Sequence, residues 1–435
     1  MQSAAKHLYL GSNSMLPYEA VKMLRCTRHN VIVFQRFHLR FLMNSTTRAA
    51  VATTGAQPLA EASQPGRLIS LDVFRGLTVM AMILVNNPGD WGHIYPPFEH
   101  AEWNGCTPTD LIFPFFLFIV GVSLVYALDG PKRQGGPQGA VLLRVLRRAA
   151  VLFGLGLLLS LYPKFDFSVV RIMGVLQRIA LVFLGCSFIF LKTSWRTQAW
   201  LVFIFLVSYA VLMQLVPVPG FGPANLEPAT NLGAWLDRLT FGEAHLWKQS
   251  RTWDPEGLLG TLPALGTGLL GVLTAQWLRR RDQEPAAKVA WLFVTGGAII
   301  LIGLCWAPWF PINKALWSSP YVLYTGGLAM AGLAALYWVC DVQGYRSWTP
   351  PAVVYGVNAI LVFCLSALLS RTFGLFKLIG PKGNLLGLKE WLYEWGIAPY
   401  FADPRTASLV GAVVLVLIWM GILSWMYKKG VVVKV

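Results

Sequence analysis

Acidic residues are scarce in this chain of 435: 20 Asp and Glu stand against 36 Lys and Arg, and charged residues of both signs make up only 13%. So little charge, beside 55% hydrophobic residues and a mean hydropathy of +0.55, argues against a soluble globule. The net charge of +16 would suggest a nucleic-acid partner in a soluble protein. Here the basic residues cluster in short connections between apolar segments, so the positive-inside bias explains them and no nucleic acid is expected. Cysteine is sparse too. Cys26, Cys106, Cys186, Cys305, Cys340 and Cys364 show no CxxC or His-pair spacing, which argues against a disulfide framework and a zinc site. There is no Walker loop, HExxH or GxSxG, so nucleotide hydrolysis, zinc proteolysis and serine-hydrolase chemistry lack support. Neither an alternating barrel pattern nor a convincing internal repeat is visible.

What is present is a series of about ten apolar segments of roughly twenty residues, the length that a hydrocarbon core of ~30 Å requires. They fall near 69–88, 108–129, 139–162, 169–191, 196–216, 257–278, 288–307, 319–341, 350–371 and 405–427. Backbone groups in lipid must be satisfied internally, so the fold expected is an all-α polytopic bundle in the lipid bilayer. Lys132, Arg133, Arg144, Arg147, Arg148, Lys192, Arg196, Arg279, Arg280, Arg281, Lys288, Arg346, Lys428, Lys429 and Lys434 all fall on one side, expected to be the cytoplasm, with both termini there. Residues 1–66 are basic and contain no span. They are expected to be a disordered cytoplasmic tail or residues ahead of a later start at Met15 or Met43, leaving 67–430 as one transmembrane domain.

The polar residues concentrate in Ser70–Gly121, where ionisable groups are costly at membrane depth and mark a candidate site. Asp72 and Arg75 are three apart and can pair on one helix face. Asn86 and Asn87 end that segment, where an amide can cap the helix or donate to a carbonyl. His100, in FEHAEWNG, can serve as general base or acyl-accepting nucleophile if Asp110 or Glu99 fixes its tautomer. His93 is a rival, with fewer polar neighbours, and Cys106 reads better as packing than as nucleophile. Arg171 and Arg178 are seven apart, two turns along one face of the fourth segment, and suit an anionic group. Asp254 and Glu256 open the sixth segment, and Asn313, Lys314 and Asn358 complete the polar set. Each has a plainer reading as an ion pair, a cap or an interfacial side chain.

The runs LDVFRGL, HAEWNGCTPTDLIFPFFLFIVG, GVLQRIA, DPEGLLGT, PINKALW and GVNAILVF occur, in this order, in a chain that resembles the heparan-α-glucosaminide N-acetyltransferase family and its bacterial membrane homologues over residues 67–427. The resemblance implies a transmembrane enzyme that takes acetyl from acetyl-CoA on the cytosolic side and gives it to the amine of a glucosamine residue on the other. No metal is implied. It puts the family's catalytic histidine on His100, its span-ending asparagine on Asn86, its FRG arginine on Arg75 and its DLxFP aspartate on Asp110. Asn86 would donate to the developing oxyanion and Trp103 would stack on the sugar. Asn104, Arg75, Arg171, Arg178, Asp254, Glu256, Asn313 and Asn358 would complete the binding of donor and acceptor. The chain departs from the family in NPGDWGHIYPPF, which replaces a glycine-rich run and leaves the acceptor and the Asn86/Asn87 register open, and in lacking a lumenal domain ahead of the motifs. That second departure favours a bacterial inner membrane. An amino-sugar transporter, an acyltransferase of envelope polysaccharide, and a homodimeric assembly stay open as alternatives.

Overall fold

The computed structural model describes residues 68–134, 138–381 and 383–433. The expected tail at 1–66 lies outside them, as does Lys434. Among the described residues the regular structure is almost wholly helical. In order come α1 (Ile69–Asn86), α2 (Ile112–Gln134, entered through a 3-10 turn at Pro108–Leu111), α3 (Gly139–Leu161), α4 (Val175–Lys192), α5 (Trp195–Leu215) and the short α6 (Leu232–Phe241). Then follow α7 (Thr261–Leu278), α8 (Pro285–Trp306), α9 (Ser319–Leu336), α10 (Pro350–Val357), α11 (Ala359–Leu375), α12 (Leu388–Gly396) and α13 (Pro404–Lys428). A two-stranded antiparallel hairpin, β1 (Lys377–Ile379) with β2 (Leu385–Gly387), departs from the all-helical expectation.

Each of the ten apolar segments falls on a helix. Seven helices among the described residues are long and apolar enough to cross a membrane unaided, and α10 with α11 adds an eighth if that pair, bent by 76°, is one span. The two that fall short do so for physical reasons. α3 carries Arg144, Arg147 and Arg148. α7 is rich in glycine and threonine and sits almost entirely inside the protein, where contact with other helices replaces contact with lipid.

The centre of the bundle is the α2–α7 pair, which closes backbone to backbone. A Cβ on Gly121 would meet the Gly268 carbonyl oxygen at 2.0 Å, and one on Gly271 would meet that of Phe118 at 2.1 Å. Small residues permit this approach, and it is how helices associate where lipid is as apolar as leucine. α1 packs on α10 in the same way, with Gly356 against the Asp72 carbonyl. Basic residues meet at one end of the bundle: Lys132 caps the Phe190 and Thr193 carbonyls at the end of α4, and Arg133 and Arg279 share Asp129. Gly121→Val and Gly271→Val should each destabilise by about 1–3 kcal/mol or more, read as a lower unfolding midpoint and a broadened size-exclusion peak in detergent. Gly130→Ala, with nothing within 4 Å, should be silent.

Candidate active site

At the opposite end of α2, about 34 Å away at 1.5 Å per residue, three loops converge. The connection after α1 enters α2 through Thr107-Pro-Thr-Asp110, a capping box in which the Asp110 carboxylate receives the Thr107 N–H at 3.0 Å. Its Oδ2 also accepts from Thr107 Oγ1 and from the Ala101 N–H, both at 3.1 Å. Its Oδ1 lies 2.6 Å from His100 Nδ1. A carboxylate so supplied with donors is an acceptor only, so Nδ1 carries the proton and His100 Nε2 presents a lone pair. The His100 side chain is 52% exposed, whereas that of Asp110 is 1% exposed, so the ring meets solvent and its orienting partner does not. The Asp110 carbonyl is fixed from α9, accepting from the Tyr321 hydroxyl at 2.5 Å.

The second loop, between α8 and α9, is stitched to the first. The Gly105 N–H donates to the Ile312 carbonyl at 2.7 Å, at a φ of +117° that favours glycine, and the Asn313 amide donates to Asn104 Oδ1 at 3.2 Å. Asn313 also accepts from the Leu316 N–H, shaping the turn that carries Lys314. The Lys314 ammonium stands 3.0 Å from His100 Nδ1, 3.3 Å from Nε2 and 3.5 Å from Asp110 Oδ1. Burial holds it below the ordinary lysine range, against the opposing pull of Asp110.

The third loop is the turn before α7. Arg171 Nε donates to Asp254 Oδ2 at 2.8 Å and its Nη2 bridges Asp254 and Glu256. Arg178 donates to the Pro255 and Gly257 carbonyls at 3.0 and 2.8 Å and lies over the Trp317 ring. Trp103 donates to the Leu226 carbonyl and packs edge-on against Trp253.

The expected site residues therefore separate. His100, Asp110, Asn104, Asn313, Trp103, Arg171, Arg178, Asp254 and Glu256 share one end. Arg75, bonded to Asp72, Ser123 and the Gly356 carbonyl, lies towards the basic end, as does Asn358, which holds the Val431 and Val433 backbone. Asn86 is exposed at the end of α1 and makes no hydrogen bond to His100, Asp110 or Lys314, while Asn87 is buried and caps the Ile83 carbonyl. Arg171 is not on one helix face with Arg178: α4 begins only at Val175, because Arg171 is drawn into the loop by the two carboxylates. Asp254 and Glu256 likewise precede α7 instead of opening it. His93 pairs with Asp90 on its own exposed loop. Burial pushes the Cys106 thiol up to about 12, which disfavours a thiolate nucleophile. Two supporting groups escaped sequence reasoning. Thr107 had a signal in its T-x-x-D spacing, whereas Asp237 of α6, accepting from the Leu258 N–H at 2.8 Å, had none.

Burial, with Asp254 nearby, lifts Asp237 to about 7. The folded state then binds this proton more tightly than an unfolded chain, whose aspartate titrates near ~3.9. Its contribution to stability is full at low pH and is lost as pH rises through about 7. Asp237→Asn should flatten the fall in unfolding midpoint between roughly pH 4 and 8, measured by thermal unfolding of the full chain in detergent.

A sequence model described as heparan-alpha-glucosaminide N-acetyltransferase, catalytic, matches residues 67–305. The mouse protein named heparan-alpha-glucosaminide N-acetyltransferase is 28% identical over 449 residues, covering 90% of this chain and 64% of that one. The human protein of the same name is 30% identical over 357 residues, covering 69% of this chain and 52% of its own length. This chain thus spans between half and two thirds of these relatives. The match holds over the segment that contains His100, Asp110, Arg171, Arg178, Asp254 and Glu256, and the chain belongs to the heparan-alpha-glucosaminide N-acetyltransferase family.

Proposed function

We propose that the chain is a membrane-embedded acetyltransferase that moves acetyl from acetyl-CoA at its basic end to the amine of a glucosamine-type sugar at the His100 end. The observation that carries this reading is the pairing of an exposed His100 with a buried Asp110 at one end of α2, while the basic residues gather at the other. In this arrangement the bundle crosses the membrane ten times, with both termini on the cytoplasmic side, since the basic end satisfies the positive-inside bias.

Arg171 and Arg178, expected to suit an anionic group, are already engaged by carboxylates and carbonyls. A better place lies at the basic end, where a cavity of about 750 Å³ is lined by Arg133, Arg279, Arg280, Trp195, Trp277 and Trp291. Arg133 and Arg279 share the one carboxylate of Asp129, which leaves positive charge in excess for phosphate. The indoles suit an adenine face. Val125 at the cavity's inner wall is about 22 Å along α2 from Asp110, a span that the donor's extended arm and the acceptor must bridge between them.

At the far end, His100 Nε2 either deprotonates the acceptor amine in a ternary complex or takes the acetyl group first and passes it on. Asp110 holds the ring and its tautomer for both routes. Arg171, Asp254 and Glu256, backed by the wholly buried Arg178, form a rigid wall beside the acceptor, and Trp103, half-buried against Trp253, offers an aromatic edge to the sugar.

Purified full-length protein given radiolabelled acetyl-CoA and glucosamine should form labelled N-acetylglucosamine, with His100→Ala reducing the rate on the order of 10²-fold or more. Asp110→Asn should reduce it comparably. Unmodified sugar crossing a proteoliposome membrane without CoA, and no acetyl transfer, would instead establish a transporter.

A further inference from the structure

One charged group at this site has no task in the scheme above. Lys314 is turned inward, with a side chain only 22% exposed, although lysine ordinarily carries its ammonium out to water. Its turn is fixed by Asn313, by the Gly105–Ile312 hydrogen bond and by the Trp317 N–H on the Lys314 carbonyl at 3.0 Å. The ammonium stands against the His100 ring, 3.0 Å from Nδ1 and 3.3 Å from Nε2, and so lies beside the nitrogen that faces the reaction while the Nε2 lone pair stays available to a proton. Asn86, the donor expected to meet the oxyanion, is not joined to this cluster. Among the described residues, Lys314 is the cation that touches His100.

We propose that Lys314 is a catalytic residue whose ammonium stabilises the oxyanion formed as the acetyl group is transferred beside His100. The inference rests on the acetyltransferase reading and deepens it. In the ternary route, the amine lone pair forms the N–C bond while Nε2 takes a proton from that nitrogen, and the carbonyl π pair moves onto oxygen beside the ammonium. Return of that pair re-forms C=O and breaks the C–S bond, and the departing thiolate takes the proton from the imidazolium. Nothing is oxidised or reduced. A fixed charge aimed where negative charge develops is worth most in a site partly withdrawn from water.

The ionisable groups facing Lys314 are Asp110 at the start of α2, Glu256 before α7, Cys106 on the stitched loop and His100 itself. The required form is the ammonium, so the rate should fall as pH rises through a value below the ordinary lysine range. Lys314→Met should lower kcat by about 10²–10³-fold while acetyl-CoA binding, followed by calorimetry, is unchanged. Lys314→Arg should keep part of the rate and move the alkaline limb of the pH–rate profile upward, because guanidinium stays charged. A Lys314→Met variant within a few-fold of the unsubstituted protein overturns the role, as does a Lys314→Arg profile whose alkaline limb does not move. If Lys314→Met does not fold, the Lys314→Arg profile decides alone. Absence of acetyl transfer by the unsubstituted protein would overturn the acetyltransferase reading itself, an outcome distinct from either of these.

Discussion

A single buried carboxylate sets the geometry of the His100 end. Ionised Asp110 in the protein interior would be strongly unfavourable without donors, and every donor it recruits is a constraint on the chain. Thr107 caps the entry to α2, the Ala101 N–H bends the loop back, His100 is oriented by Oδ1, and the Lys314 ammonium sits close enough to offset the charge. Because Tyr321 grips the Asp110 carbonyl, the same residue also ties the start of α2 to α9. Such a network is high-stakes: with all partners present it specifies one arrangement, and with one missing it leaves charge unsatisfied in a low dielectric.

The close backbone contact of α2 with α7 transmits this order through the bundle. α2 has the His100 cluster at its first turn and Asp129 with its two arginines near its last. α7 follows the Asp254–Glu256 turn directly and ends at Arg279, so it too joins a charged loop at one end to the basic cluster at the other. Two helices locked by glycine contacts cannot slide independently, and the two ends are held at a fixed separation. Under the proposed acetyltransferase reading, a transfer between them would have to be bridged by the length of the donor and the reach of the loops.

The helices were legible in the sequence because hydropathy over twenty residues is a local property. All ten apolar segments fall on helices, but of the hairpin's polar groups Asn104 joins the end that holds His100 and Asp110, while Arg75 and His93 find partners elsewhere. What was not legible was decided by partners far along the chain. Arg171 looked like a helix residue seven positions before Arg178, but its partners lie 83 and 85 residues away and hold it outside α4. Asn86 and Asn87 are indistinguishable in sequence, and only the completed helix shows that the second turns back onto Ile83 while the first faces outward. Asn358 reads as a buried polar residue in an apolar run; its use, holding the Val431 and Val433 backbone, depends on a 76° break that a local pattern does not reveal.

Lys314 shows the same limit in its sharpest form, because the sequence exposes the residue without its surroundings. The turn that bears it includes Trp317 at a φ of +55°, a region that bulky side chains rarely enter. Such a conformation costs on the order of 1–3 kcal/mol and persists where the surroundings over-determine it. Here they do. The Trp317 ring is 1% exposed, packed edge-on by Phe113 and Tyr321, covered by Arg178 and bonded through Nε1 to Thr267. Arg178 is in turn held by the turn that Arg171, Asp254 and Glu256 lock together. The arginine pair expected to suit an anionic group instead backs an aromatic wedge, Arg178 directly and Arg171 through the turn it locks, and the wedge fixes the turn that brings a cation to the histidine.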